Sequence, residues 1–233
     1  MRENENMILP RSVFLFVLAG WLVAGCANLP PNSIQQHDAS KWRGDIAAFA
    51  ASDETNPPTR GCIVFTGSSF IRRWTTLDKD FPGLQVINRG FGGCELADVY
   101  DYADRIIIGY APREVVIYAG GNDINAGMAP KIVFGDFVAL MTKLHTALPH
   151  TKLVFISCPP SPKRWAQTAK IIEVNRLIAD YCRRHEITFV NTFAQMLGPD
   201  GLPLADIYVE DHLHMNAQGN AIWRTAVAPT LIP

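Results

Sequence analysis

Short apolar runs rich in Val, Ile and Phe recur along the chain, separated by longer stretches whose apolar residues fall at helical spacing. Five runs read as strands: residues 62–66, 84–88, 114–119, 152–157 and 187–191. Their hydrophobicity is nearly continuous, which suits parallel strands covered on both faces rather than strands with one wet side. Residues 130–148 and 165–185 carry apolar positions at helical period, for example Ile171, Val174, Ile178 and Tyr181, and predict the two longest helices. A shorter helix is expected over 96–107, and a last one from Asn216, whose side chain suits an N-cap, to about residue 226. Strands alternating with helices form βα units around a parallel sheet. The expected class is therefore α/β, a three-layer α/β/α sandwich with about five parallel strands.

The N-terminal part follows a different pattern. Residues 28–40 (NLPPNSIQQHDAS) are polar, contain two prolines and read as a flexible tether, so the folded domain is expected over 41–233. Residues 13–25 form an uncharged apolar run preceded by Arg11, as a secretory h-region does. A helix of that length spans about 20 Å against a hydrocarbon core of roughly 30 Å, which disfavours a membrane-spanning anchor. Val23-Ala24-Gly25-Cys26 resembles the bacterial lipoprotein signal, in which the cysteine is lipidated and becomes N-terminal after cleavage. This reading makes residues 1–25 a lipoprotein-type signal peptide, Cys26 the lipid anchor and 26–40 the tether. Ordinary signal cleavage after Ala27 is the competing reading. Glu3 and Glu5 offset Arg2 and Arg11, so a start at Met7 would leave a more conventional basic leader. The expected location is that of an exported bacterial lipoprotein, membrane-anchored and facing periplasm or cell surface.

Composition narrows the partners. At 233 residues and 48% hydrophobic the chain can bury a full core, and its length suits a single domain. The 21 Lys and Arg against 22 Asp and Glu give a formal charge of −1, which offers no electrostatic case for nucleic acid or an anionic membrane surface. The membrane is expected to be met only through the lipid anchor. Cys62, Cys94, Cys158 and Cys182 show no CxxC spacing, and buried free thiols are the expected state.

Candidate chemistry lies in four polar patches: Thr66-Gly67-Ser68-Ser69, residues 88–93 (NRGFGG), Gly120-Gly121-Asn122-Asp123, and Asp211-His212-Leu213-His214. Ligands of such sheets bind beyond the carboxyl ends of the strands, and three of the patches follow the first three strands directly. Acyl transfer needs a nucleophile, a base, a group that orients the base, and donors for the oxyanion. Each patch can supply one. A serine at a strand-to-helix junction can be a nucleophile or simply a helix cap. The glycine-rich patch fails as a phosphate loop, because Glu95 stands where GxGxxG needs glycine. Asn122 offers uncharged donors, although Asn is also common in turns, and Asp123 can cap the following segment. Asp211 and His214, three residues apart, allow a carboxylate to hold one ring nitrogen and leave the other as a base. His212 permits an HxH metal reading, which the lack of further ligands near the other patches disfavours, so neither metal nor cofactor is expected. His37, His145, His150 and His185 read as solvated surface residues.

In order and spacing the four patches resemble the SGNH, or GDSL-type, hydrolase family over roughly residues 61–226. The resemblance implies a flavodoxin-like α/β/α fold with Ser69 as nucleophile, Asp211 and His214 as its partners, and Ser69, Gly93 and Asn122 as the oxyanion hole. Ser68 stands where the family carries Asp. The implied activity is that of a serine esterase acting through an acyl-enzyme. The implied substrates range over lysophospholipids, acyl thioesters, aryl esters and acetylated carbohydrates. Short acyl or acetyl esters are favoured here, since no long insertion is available to form a lid. Phe91, Trp74 and Trp165 can line an acyl or sugar pocket or belong to the core, and Arg72, Arg73, Lys163 and Arg164, near strand ends, can meet an anionic group but are expected to be solvated. The alternatives are a degenerate ligand-binding lipoprotein of the same fold and a flavodoxin-like nucleotide binder, which the failed glycine pattern weakens.

Overall fold

The structure, a computed structural model, describes residues 30–232. The expected signal peptide, Cys26 and Ala27 lie outside the described residues. In chain order the elements are α1 (Arg43–Thr55), β1 (Ile63–Gly67), the short helices α2 (Ser69–Arg72) and α3 (Leu77–Asp80), β2 (Val86–Gly90), α4 (Leu96–Ile106), β3 (Glu114–Tyr118), the short α5 (Gly121–Asn125), α6 (Pro130–Ala147), β4 (Lys152–Ile156), α7 (Thr168–Arg184), β5 (Thr188–Val190) and α8 (Ala217–Val227). The five strands are all parallel, in the order β2-β1-β3-β4-β5. This is the α/β architecture expected from the apolar runs. The chain moves outward from β1 to β2 and then crosses over β1 to β3, so the order reverses between β1 and β3. A crevice for ligands opens at that point, beyond the carboxyl ends of the strands.

Side-chain alternation assigns the covering helices to opposite faces. Ile117 is paired with Phe155, whose ring meets Phe137 of α6 at 4.9 Å. The next residue, Tyr118, points the other way and meets Trp223 of α8 at 5.0 Å. Trp74, Trp223, Phe65 and Phe137 are fully buried, so both faces of the sheet are dry. No described helix is long and apolar enough to cross a membrane.

Several boundaries differ from the sequence reading. β2 runs from Val86 to Gly90 rather than over 84–88, so part of the glycine-rich patch is strand. As an edge strand it tolerates polar side chains with partners of their own. Asn88 donates to the carbonyls of Ile71 and Trp74, and Arg89 pairs with Asp53 of α1 and donates to the Tyr110 hydroxyl at 2.8 Å. The helix expected from Trp165 starts at Thr168, after a 3₁₀ turn over Pro162–Gln167. α1 was not expected; only Ile46 of its residues is fully buried, which leaves little periodic signal. Asn216 does cap α8, accepting from the N–H groups of Gln218 and Gly219.

Residues 30–40, expected as a flexible tether, lie against the domain. The N–H and hydroxyl of Ser33 both donate to Asp136 of α6, at 2.6 and 2.8 Å, and Tyr102 donates to the Ala39 carbonyl. Gly135 admits this segment: a Cβ there would lie 2.0 Å from the Pro31 carbonyl oxygen. His37, expected to be solvated, is 11% exposed and bonds Asp98 at 2.7 Å.

Candidate active site

The serine turn is shaped by backbone geometry. Gly67 ends β1 at φ +119°, a conformation that side chains disfavour, and a Cβ there would sit 1.8 Å from the Tyr118 carbonyl oxygen. The turn is stitched to both neighbouring strands. The N–H of Ser68 donates to the Tyr118 carbonyl at 2.9 Å, and the N–H of Phe91 donates to the Gly67 carbonyl at 2.8 Å. Ser68 is buried and precedes α2 without a side-chain cap bond. The turn is thus held through its backbone at the position where the family resemblance leads one to expect a carboxylate. Ser69 opens α2, and its hydroxyl is hydrogen-bonded to His214.

His214 arrives on a tight loop near the C-terminus. An isolated antiparallel bridge between Tyr208 and Met215 closes the loop, and the Tyr208 hydroxyl donates to the Pro160 carbonyl at 2.7 Å. His212 takes a left-handed conformation at the turn, φ 55°, and its carbonyl accepts from the N–H of Lys163. His214 Nε2 then lies 2.9 Å from Ser69 Oγ, and Nδ1 lies 2.6 Å from Asp211 Oδ2. The other carboxylate oxygen of Asp211 accepts from the N–H groups of Leu213 and His214 at 2.9 and 2.8 Å. Burial opposes ionisation of Asp211, but the bonds from the His214 ring and from these two amides outweigh it. They hold the carboxyl well below its ordinary range. Asp211 stays anionic, and Nδ1 is its hydrogen-bond donor.

Gly93 and Asn122 face the same cleft, which measures about 500 Å³ and is also bordered by Arg72, Arg73, Arg164 and Leu213. Gly93 has φ +86°. Among the described residues, the N–H groups of Ser69 and Gly93 donate to no other group. Asn122, in α5, donates one Nδ2 hydrogen to the Cys94 carbonyl at 2.9 Å, and its Oδ1 accepts from Arg164 at 2.9 Å. The structure therefore gathers Ser69, Gly93, Asn122 and the Asp211/His214 pair from four separate chain segments.

Other predicted residues fall elsewhere. Phe91 and Trp74 are fully buried in the core, whereas Trp165 is half-buried. Cys62, Cys94, Cys158 and Cys182 are buried free thiols, and burial raises their pKa, to about 12 for Cys182. Among the described residues, His37, Glu95 and Asp98 gather donor atoms within 4.8 Å. Both Asp98 oxygens are already engaged there, one by His37 and the other by the Glu95 N–H in a capping box at the start of α4. Sequence reasoning missed two supports of the site. Asp123 is fully buried and accepts from the Leu96 N–H at 3.0 Å, tying the loop after β3 to the one after β2. Arg164, expected to be solvated, is half-buried against Asn122. Its signal was its place just beyond the carboxyl end of β4, the edge that the other patches share.

A serine, an imidazole and a carboxylate bonded in series at the switch point of a doubly wound parallel sheet define a serine-hydrolase type of architecture. The chain belongs to the GDSL-like lipase/acylhydrolase family, whose model matches residues 59–222. Among solved structures, it is similar to a GDSL-like lipase from Bacteroides thetaiotaomicron, at 22% identity and TM-score 0.69, over 79% of this chain and 96% of that one. A lipase/acylhydrolase from Enterococcus faecalis matches at 20% identity and TM-score 0.60, over 75% and 98%. An acetyl xylan esterase from Geobacillus stearothermophilus matches at 15% identity and TM-score 0.58, over 73% and 94%. At these identities the likeness shows a shared fold. No curated protein matches the chain significantly.

Proposed function

We propose that this chain is a serine esterase that cleaves short-acyl or acetyl carboxylic esters through an acyl-enzyme. The observation that carries the reading is the continuous bond series from Ser69 through His214 to Asp211, opening on a cleft bordered by Gly93 and Asn122. Ser69 Oγ attacks the ester carbonyl and its proton passes to His214 Nε2, while Asp211 stabilises the imidazolium. The carbonyl oxygen becomes an oxyanion that accepts from the N–H groups of Ser69 and Gly93 and from the free Nδ2 hydrogen of Asn122. Collapse breaks the bond to the alcohol oxygen, which leaves with the His214 proton. Water then loses a proton to His214 and attacks the acyl-serine, and His214 returns that proton to Ser69 Oγ as the acid is released.

The short-acyl preference is supported by the lack of room beside the cleft. A neighbouring cavity that shares Arg164 and Leu213 with the cleft, and is also bordered by Phe70, Tyr118, Pro159, Pro160 and Ile171, has about 10 Å³ of free space. That admits about one water-sized group. Acetyl esters are also suggested by the acetyl xylan esterase that shares this fold. Export and lipidation at Cys26 are proposed on the signal motif alone.

Purified enzyme assayed on p-nitrophenyl esters of increasing acyl length tests both parts. Acetate or butyrate should be preferred, and Ser69→Ala should lose at least about 10³-fold in kcat. A Ser69→Ala variant as fast as wild type would refute the esterase assignment. A preference for long acyl chains or lysophospholipids would overturn the substrate class.

A further inference from the structure

Asn122 can serve as an oxyanion donor only if its amide presents nitrogen, not oxygen, to the cleft. The two ends of a side-chain amide are nearly equal in size, so the choice is made by the groups around it. Here Cys94 offers a carbonyl to Nδ2 at 2.9 Å, and Arg164 offers a guanidinium N–H to Oδ1 at 2.9 Å. Rotating the amide by half a turn would set NH₂ against the guanidinium and oxygen against the carbonyl, two mismatches at once. Bonding to a cation also draws electron density from the amide oxygen, which makes the remaining N–H a stronger donor.

Arg164 is itself held in place. A second guanidinium nitrogen donates to the Gly121 carbonyl at 2.9 Å, so one planar fork reads the carbonyl and the side chain of consecutive residues. The N–H of Arg164 donates to the Ser161 carbonyl, and that of its neighbour Lys163 donates to His212 in the loop carrying Asp211 and His214. The 3₁₀ turn after β4 therefore links the oxyanion side of the cleft to the base side.

We propose that Arg164 is a positioning residue, which fixes the orientation of the Asn122 amide and strengthens it as the side-chain donor of the oxyanion site. This rests on the esterase reading above. The test is a double-mutant cycle on p-nitrophenyl acetate, with kcat and KM determined separately for wild type, Arg164→Met, Asn122→Ala and the double variant. Removing one oxyanion donor costs about 10² to 10³ in kcat, so a disoriented donor should cost roughly 10- to 100-fold, with KM changed less than about 3-fold. Once Asn122 is alanine, Arg164→Met should change kcat by less than about 3-fold.

Arg164→Lys retains the charge and the aliphatic stem, and serves if the methionine variant does not fold. One ammonium cannot reproduce the planar fork, so kcat should stay at least about 5-fold down. Equal losses from Arg164→Met with and without Asn122 would overturn the proposal, as would a loss confined to KM or full activity in Arg164→Lys. The esterase reading fails by a separate sign, wild-type turnover by Ser69→Ala.

Discussion

Replacing Asp211 with Asn perturbs the bond series while disturbing little else. In the native loop one carboxylate oxygen accepts from the backbone N–H groups of Leu213 and His214, and the other faces His214 Nδ1 at 2.6 Å. The asparagine oxygen can keep the two backbone bonds, which turns its NH₂ group toward Nδ1. Nδ1 must then accept, so the ring proton moves to Nε2 and His214 can no longer take the proton of Ser69. Where the carboxylate of such a series is deeply buried, this substitution lowers kcat by about 10⁴. Asp211 is 41% exposed, so water can solvate Nδ1 in the variant and restore part of the productive tautomer. The expected loss in kcat/KM is therefore smaller, roughly 10²- to 10³-fold, or about 3 to 4 kcal/mol of barrier. KM should change little.

The appropriate assay is initial-rate hydrolysis of p-nitrophenyl acetate between about pH 5 and 9. The Asp211 carboxyl is held below its ordinary value, so any stabilisation it provides is complete above about pH 4 and is lost as the pH falls through the depressed folded-state value. The charge of Asp211 is therefore constant across the assay range, and a catalytic defect in a variant whose far-UV circular dichroism matches wild type comes from the orientation of His214. A variant within about 3-fold of wild type throughout would refute the role given to Asp211.

Two further substitutions test the scaffold. Burial raises the Asp123 carboxyl to about 7, so the native state binds this proton more tightly than the unfolded chain does. Its stability cost is absent below about pH 4 and grows as the pH rises toward 7 and above, to at most roughly 4 kcal/mol at about 1.4 kcal/mol per unit. Urea unfolding at several pH values should show wild type losing stability relative to Asp123→Asn over that window, and parallel curves would contradict the assignment. At the serine turn, Gly67→Ala drives a Cβ into the Tyr118 carbonyl from a left-handed backbone, and should cost more than about 3 kcal/mol or abolish soluble expression. An alanine variant with an unchanged melting temperature would show that the turn is not so constrained.

The sequence revealed most where burial was most complete. All five strands of the sheet were visible as apolar runs because the residues of β1 and β3 have no wet face to alternate with, and their order along the chain placed the serine, glycine and asparagine patches at one edge. Errors arose where tertiary partners replaced hydrophobic signal. β2 carries Asn88 and Arg89 into the sheet because Ile71, Trp74, Asp53 and Tyr110 satisfy them, and residues 30–40, which composition reads as a linker, pack through a few polar contacts to Asp136, Asp98 and Tyr102. Arg164 was hidden in the same way. Its place beyond β4 put it at the shared edge, but the run Ser161-Pro162-Lys163-Arg164 does not indicate that its guanidinium meets an amide 42 residues away.

The central claim is that Ser69 is an activated nucleophile. Treatment of wild type and Ser69→Ala with a fluorophosphonate, followed by intact-mass and peptide mass spectrometry, tests it directly. One adduct per wild-type chain is expected, on the peptide carrying Ser69, and none on the alanine variant. An unlabelled wild type that still hydrolyses esters, or an adduct that survives in Ser69→Ala, would contradict it.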